Sequence, residues 1–211
     1  MPSRVPIVVA VLLAVVAAGP AGVRTLHAKD APPDPAVEVR HPALRDALNR
    51  IARGSASWRE AMAAVAATGR RAIVLTPNEV RIRRDGAERP VPFDASEVAA
   101  VTPLADARGH LSVVVVVVNV AGLEAVHERR GSLPAEFHGD LDRILAHEIY
   151  GHAVPYLLAG HVSGRCADPE DGEPATAACA IQRENVVRAE LRLGRRTDRS
   201  LNSLALTRGL R

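Results

Sequence analysis

Aromatic side chains make up only 2% of the 211 residues, with one Trp, two Tyr and two Phe. That scarcity removes the stacking platform on which proteins hold single-stranded nucleic acid. Lysine is nearly missing too. Lys29 stands alone and arginine carries the basic charge, a bias that codon usage accounts for. Neither sign of charge dominates. The formal net charge is +3, from 27 basic and 24 acidic residues. The first 28 residues hold Arg4 and Arg24 and no acid, so without them 25 basic groups face 24 acidic ones. No nucleic-acid-binding surface is expected from that balance. Cysteine is limited to Cys166 and Cys179, and the 12 residues between them contain no CxxC pair. That spacing is poor for a structural zinc site. No internal repeat is present.

Charge is also absent from a run near the start. Between Arg4 and Arg24 lie 19 uncharged residues, Val5–Val23, mostly Val, Ala and Leu. A short basic segment followed by an apolar one reads as a secretory signal, with Ala28 or Gly22 as possible end points. The other reading is an uncleaved anchor, because about 20 apolar residues suffice to span a bilayer. Pro20 and the glycines beside it weaken that reading. Both place the remaining chain outside the cytoplasm: secreted, periplasmic or cell-surface, touching a membrane only through this segment. In such a compartment a cysteine pair suggests a Cys166–Cys179 disulfide. Closing so short a loop would stabilise the fold by roughly 3 kcal/mol on the chain-entropy model. Shared metal ligation is the alternative.

The rest divides into a proline-rich linker (29–40), a domain (41–198) and a flexible tail (199–211). Leu44, Leu48 and Ile51 recur at helical spacing from His41 to Arg53, and Gly54 ends that helix. Ser57 and Glu60 are spaced as a capping box for the next helix, which runs to about Thr68. Arg71–Thr76 and Val80–Arg84 read as strands, and Asp85-Gly86 as a turn. Val91–Phe93 reads as a short edge strand between prolines. Leu111–Val120 contains six successive valines and has no polar face, so it is expected to be buried on both sides. Ser132-Leu133-Pro134 opens a helix that reaches about Ala159, where Gly160 stops it. Residues 162–176 form an acidic loop. A last helix is expected from about Ala177 to Leu193.

Chemistry concentrates in residues 146–153, AHEIYGHA. Histidine is a common zinc ligand, and a helix can present two of them on one face when they are four residues apart. His147 and His152 are five apart. On an ideal α-helix they diverge by about 140°. A single π-type turn would realign them, and such bulges occur at functional sites. Gly151 falls inside that turn, where a missing side chain makes distortion cheap.

The HExxGH spacing resembles the zinc motif of the dipeptidyl peptidase III family. Together with the segment ENVVRAELRLGRRT (184–197) it looks more like metallopeptidase domains of bacterial secreted effectors and polymorphic toxins. Those carry a histidine motif followed by an ENxxRxELGLPxR-like helix. The resemblance covers roughly residues 140–198. It departs at Leu193-Gly194-Arg195, where a Gly-Leu-Pro run is expected. It implies an α/β (α+β), zincin-like domain: helices packed on a small mixed sheet, then an active-site helix and a glutamate helix. It implies one Zn2+ per chain, bound by His147, His152 and Glu184, with a position left for water. Glu148 is then the general base in hydrolysis of a peptide or protein substrate.

Several residues keep two readings. Glu184 and Arg188 are either a ligand with its supporting partner or a surface ion pair at i,i+4. Glu190 lies about 240° around the helix from Glu184 and cannot share its ion. His161 is the runner-up for the third ligand, or else a supporting or substrate-binding group or a favourable cation at the helix C-terminus. Tyr150 and Tyr156 are possible oxyanion donors or core residues. His27, His41, His110, His127 and His138 are expected to be structural or on the surface. A cell-wall peptide amidase and a non-catalytic zinc-binding protein are the rival functions. Glu148 argues against the second, since a structural site needs no base beside its ligands. The Leu111–Val120 strand or its neighbour is expected to align the substrate by main-chain hydrogen bonds.

Overall fold

A computed structural model describes residues 36–84, 87–90, 99–161 and 175–196. The apolar leader, the Asp85-Gly86 turn, the expected strand Val91–Phe93, most of the acidic loop with Cys166, and the tail from 197 lie outside these residues. Among the described residues no helix is long and apolar enough to cross a membrane.

The architecture is α/β. Strand β1 (Val37–Val39) is followed by helices α1 (Pro42–Gly54) and α2 (Ala56–Ala67) and by β2 (Arg71–Leu75). A hairpin of β3 (Arg81–Arg84) and β4 (Ala87–Pro90) stands apart, and β5 (Ala99–Ala105) and β6 (Leu111–Val118) complete the strands. Helices α3 (Val120–Arg130) and α4 (Pro134–Leu145), a π-helical segment (Ala146–Ala153), α5 (Val154–Ala159) and α6 (Ala175–Glu190) follow. The four-stranded sheet has the order β1-β2-β6-β5. Its first two pairings are parallel and β5 runs antiparallel on β6.

The valine run explains the centre of the sheet. Val114, Val116 and Val118 point with Ala72 and Val74 into the main core. Val115 and Val117 point with Ile73 and Leu75 into a smaller cluster on the opposite face. Strand alternation thus divides one apolar run between two cores. Leu44, Ala47, Leu48 and Ile51 of α1 and Trp58, Met62 and Val65 of α2 cover the main face. Arg50 fastens α1 to α4 through two hydrogen bonds to Asp142, at 2.7 and 3.2 Å.

Three expectations are corrected and a fourth is narrowed from two strands to one. The strand ends at Val118, and Val120 begins α3, capped by Asn119 accepting from the Gly122 N–H at 2.9 Å. The buried stripe of α3 is Val120, Leu123 and His127, so a histidine breaks its apolar signal. Residues 37–39, read as linker, form an edge strand through non-local pairing with β2. The cap of α2 is Ser55, accepting from the Trp58 N–H at 3.0 Å. Ser57 instead donates to Glu190 at 2.8 Å, so the Ser57–Glu60 box does not form. Finally, β6 lies between β2 and β5 and has no free edge for a substrate; its neighbour β5 is the edge strand.

Helix α6 ends earlier than expected, at Glu190, and the chain turns back. The Arg192 N–H bonds to the Ala189 carbonyl at 3.2 Å and the Leu193 N–H to that of Arg188 at 2.9 Å. This paired closure places Arg192 in the left-handed region, at φ 57°, where glycine is the usual residue. Counted from Glu184, the Gly-Leu-Pro run of the ENxxRxELGLPxR pattern falls on residues 192–194, one residue earlier than the 193–195 expected above, so its glycine falls on this position. Left-handed backbone costs a side-chain-bearing residue about 1–2 kcal/mol, offset in part by glycine's greater unfolded entropy. Arg192→Gly should therefore stabilise the chain by about 0.5–1 kcal/mol and raise Tm by roughly 1–4 °C. A lower Tm in thermal unfolding would show that the side chain of Arg192 contributes more than its backbone costs.

Candidate functional site

The helix carrying the histidines begins as α4, with Pro134 in its first turn and Glu136 accepting from the Leu133 N–H at 3.1 Å. It widens at Ala146 into eight π-helical residues and returns to α-helix at Val154. The Val154 N–H bonds to the carbonyl of Ile149, five residues back. The widening cancels the divergence that five-residue spacing imposes. The His147 and His152 rings come together with centroids 4.8 Å apart and planes at 90°.

Gly151 is needed for a second reason, invisible in the sequence. A Cβ there would lie 2.9 Å from the Ala180 carbonyl oxygen and 3.0 Å from its Cβ. The glycine lets α6 pack directly on the π segment. Arg183 donates to the Gly151 carbonyl at 3.1 Å, occupying a main-chain group inside the irregular stretch. One turn beyond Ala180 on the same face of α6 stands Glu184, only 1% exposed. Its Oε2 meets Nδ1 of His147. Arg188 donates to Oε1 at 2.8 Å and Arg196 to Oε2 at 3.2 Å.

The electrostatics follow from this crowding. Burial pushes the His152 pKa down to about 4, helped by His147 and Arg183 nearby, so the ring is neutral at pH 7, as a metal ligand must be. Burial acts to raise the pKa of Glu184, but His147 and the two arginines prevail and hold it below the usual carboxylate range. Glu148, beside His147, is shifted upward by burial and by the negative charge of Glu184, against the opposing pull of His147 and Arg196. The two carboxylates thus shift in opposite directions, because hydrogen bonds from His147 and Arg188 favour the charged form of Glu184 whereas burial dominates at Glu148.

Other candidates lie elsewhere. Exposed Glu190 accepts from the Ser55 hydroxyl, and its second oxygen takes the Ser57 hydroxyl, fastening the end of α6 to the start of α2. Tyr150 stacks on Trp58 with centroids 6.5 Å apart, a packing role. Tyr156 packs half-buried against the core. His161 is exposed, with Nδ1 at 3.1 Å from the Ala159 carbonyl, and it does not join the histidine pair. Cys179 is buried on α6, while Cys166 lies outside the described residues. His127, expected to be structural or on the surface, is buried with Nε2 3.3 Å from Asp140.

None of the comparisons with family models, curated proteins or solved structures found a match for this chain.

Two imidazoles and a carboxylate suit zinc in kind. No group of three or more His, Cys, Asp or Glu side chains among the described residues is placed to hold an ion as it stands. Both oxygens of Glu184 already accept from arginine. Arg196 is the residue that the motif reading missed. Its only sequence signal was the closing arginine of the ENxxRxELGLPxR pattern, which falls on it when counted from Glu184.

Proposed function

We propose that this chain is an exported zinc-dependent hydrolase of peptide bonds, with His147, His152 and Glu184 as metal ligands and Glu148 as general base. The observation that carries the reading is the π segment. It faces two histidines toward each other across a five-residue spacing, with a glutamate from α6 against the first of them. A regular α-helix would have been easier to form, so the widened turn needs a reason, and such turns concentrate at functional sites.

Held by His147, His152 and Glu184, a zinc ion would supply Lewis-acid polarisation of the scissile carbonyl and a lowered pKa for adjacent water. The protein supplies the rest. His147 and His152 would offer imidazole nitrogen, that of His152 kept unprotonated by burial. Arg188 holds Glu184 in place from the far oxygen. Glu148 accepts a proton from the attacking water and releases it to the leaving amine, and its raised pKa brings it nearer the neutral range where both transfers are efficient. Strand β5 packs beside the π segment and bonds to β6 along one side. Its other edge pairs with no described strand, which suits main-chain alignment of an extended peptide.

The test is metal analysis of the purified protein beside cleavage of a broad peptide library and of cell-wall fragments. About one zinc per chain is expected, because one three-ligand site is proposed, together with cleavage in the peptide library. Zinc with cleavage of wall fragments alone would move the assignment to a cell-wall amidase. Zinc with no cleavage would favour a non-catalytic binding protein, and absence of zinc would overturn the reading.

A further inference from the structure

We infer that Arg196 is a positioning residue of the metal site, delivered by a short arm that folds back from α6; the inference rests on the zinc reading above. The arm comprises residues 191–196 and is fastened at four points. The Asn185 side chain donates to the Arg196 carbonyl at 2.9 Å and accepts from the Arg196 N–H at 2.7 Å. Arg188 donates to the Gly194 carbonyl at 2.8 Å, and Arg143 of α4 to that of Leu193 at 3.3 Å. Left-handed backbone at Arg192 and Gly194, with φ 57° and 74°, makes the reversal. These fastenings come from side chains of the same two helices that carry His147 and Glu184.

What the arm delivers is a guanidinium that is 7% exposed. Its Nη1 lies 3.2 Å from Glu184 Oε2 and 3.4 Å from His147 Nδ1. Arg188 fixes Oε1, and Oε2 lies against His147 Nδ1. Arg196 grips the second oxygen, so the orientation of the carboxylate plane is set by two cations on two oxygens. Because the arm is anchored through its backbone, the guanidinium arrives at a fixed place, and little side-chain freedom remains to be lost when the ligands engage an ion. Outer hydrogen-bonding partners of this kind tune metal affinity by about 10–100-fold.

The experiment is competitive zinc titration against a chelator with the full chain: wild type, Arg196→Ala, Arg196→Lys and Asn185→Ala. Circular dichroism and thermal unfolding of the metal-free forms are measured in parallel. Arg196→Ala should weaken zinc by about 10–100-fold. Arg196→Lys should recover part of that loss, since one ammonium replaces the charge but not the fork. Asn185→Ala keeps the guanidinium and frees the arm, and should also weaken zinc. A merely structural Arg196 would lower metal-free stability in both Arg196 variants with no graded recovery of zinc affinity by lysine. Equal zinc affinity in folded wild type and folded Arg196→Lys and Arg196→Ala would overturn the inference while leaving the zinc reading intact. Tighter zinc in Arg196→Ala would overturn it in favour of an arginine that competes with the ion. Wild-type protein that binds no zinc overturns both.

Discussion

Replacing Glu148 with glutamine should leave zinc content unchanged and lower peptide turnover by about a hundred- to ten-thousand-fold, the range that a positioned general base contributes. Glutamine keeps the size and hydrogen-bonding shape of the side chain and removes its ability to take a proton. Glu148 shares its helical segment with both histidines but is not one of the three proposed ligands. Its shifted pKa arises from the same burial that shapes the site. Zinc content by elemental analysis and initial rates on a library-derived substrate separate the two effects. A variant that hydrolyses substrate at the wild-type rate would remove Glu148 from the mechanism. Loss of zinc along with activity would assign it to the metal site itself.

Among Glu184→Ala, Glu190→Ala and His161→Ala, the first should lose zinc by far the most, exceeding the roughly 10–100-fold typical of an outer partner. The three residues occupy different places. Glu184 is buried against His147. Glu190 is turned toward Ser55 and Ser57, so its loss should appear in thermal stability and leave zinc affinity unchanged. His161 is exposed beyond the helix end, so its substitution should change neither. Competitive titration ranks the three directly. Wild-type affinity in Glu184→Ala together with loss in His161→Ala would establish a three-histidine site and dismiss the α6 glutamate.

The helices with clean periodicity were legible from residue order. Leu44, Leu48 and Ile51 marked α1, and Pro134 and Gly160 bracketed the histidine helix, because spacing and terminal residues are local signals. The valine run was legible for the same reason. The edges were not. Val37–Val39 is three residues beside prolines, and Ala99–Ala105 contains Pro103 and lacks clear alternation. Each becomes a strand only because a distant strand offers it partners. Ser55 rather than Ser57 caps α2: both hydroxyls reach Glu190, far along the chain, and that of Ser55 also accepts the Trp58 N–H.

His147, Glu148 and His152 marked in residue order alone the segment on which the proposed chemistry rests, and the five-residue spacing of the two histidines required a widened turn to bring them together. Only the tertiary structure decided which partner meets them. Gly151 and Ala180 allow two helices to touch, and that contact places Glu184, rather than Glu190 or His161, against His147. The return of Arg196 depends on Asn185, Arg188 and Arg143 capturing main-chain groups of the arm. Helical periodicity is a property of neighbours a few residues apart, whereas the meeting of a carboxylate, an imidazole and a guanidinium is set by how packed elements lie on one another.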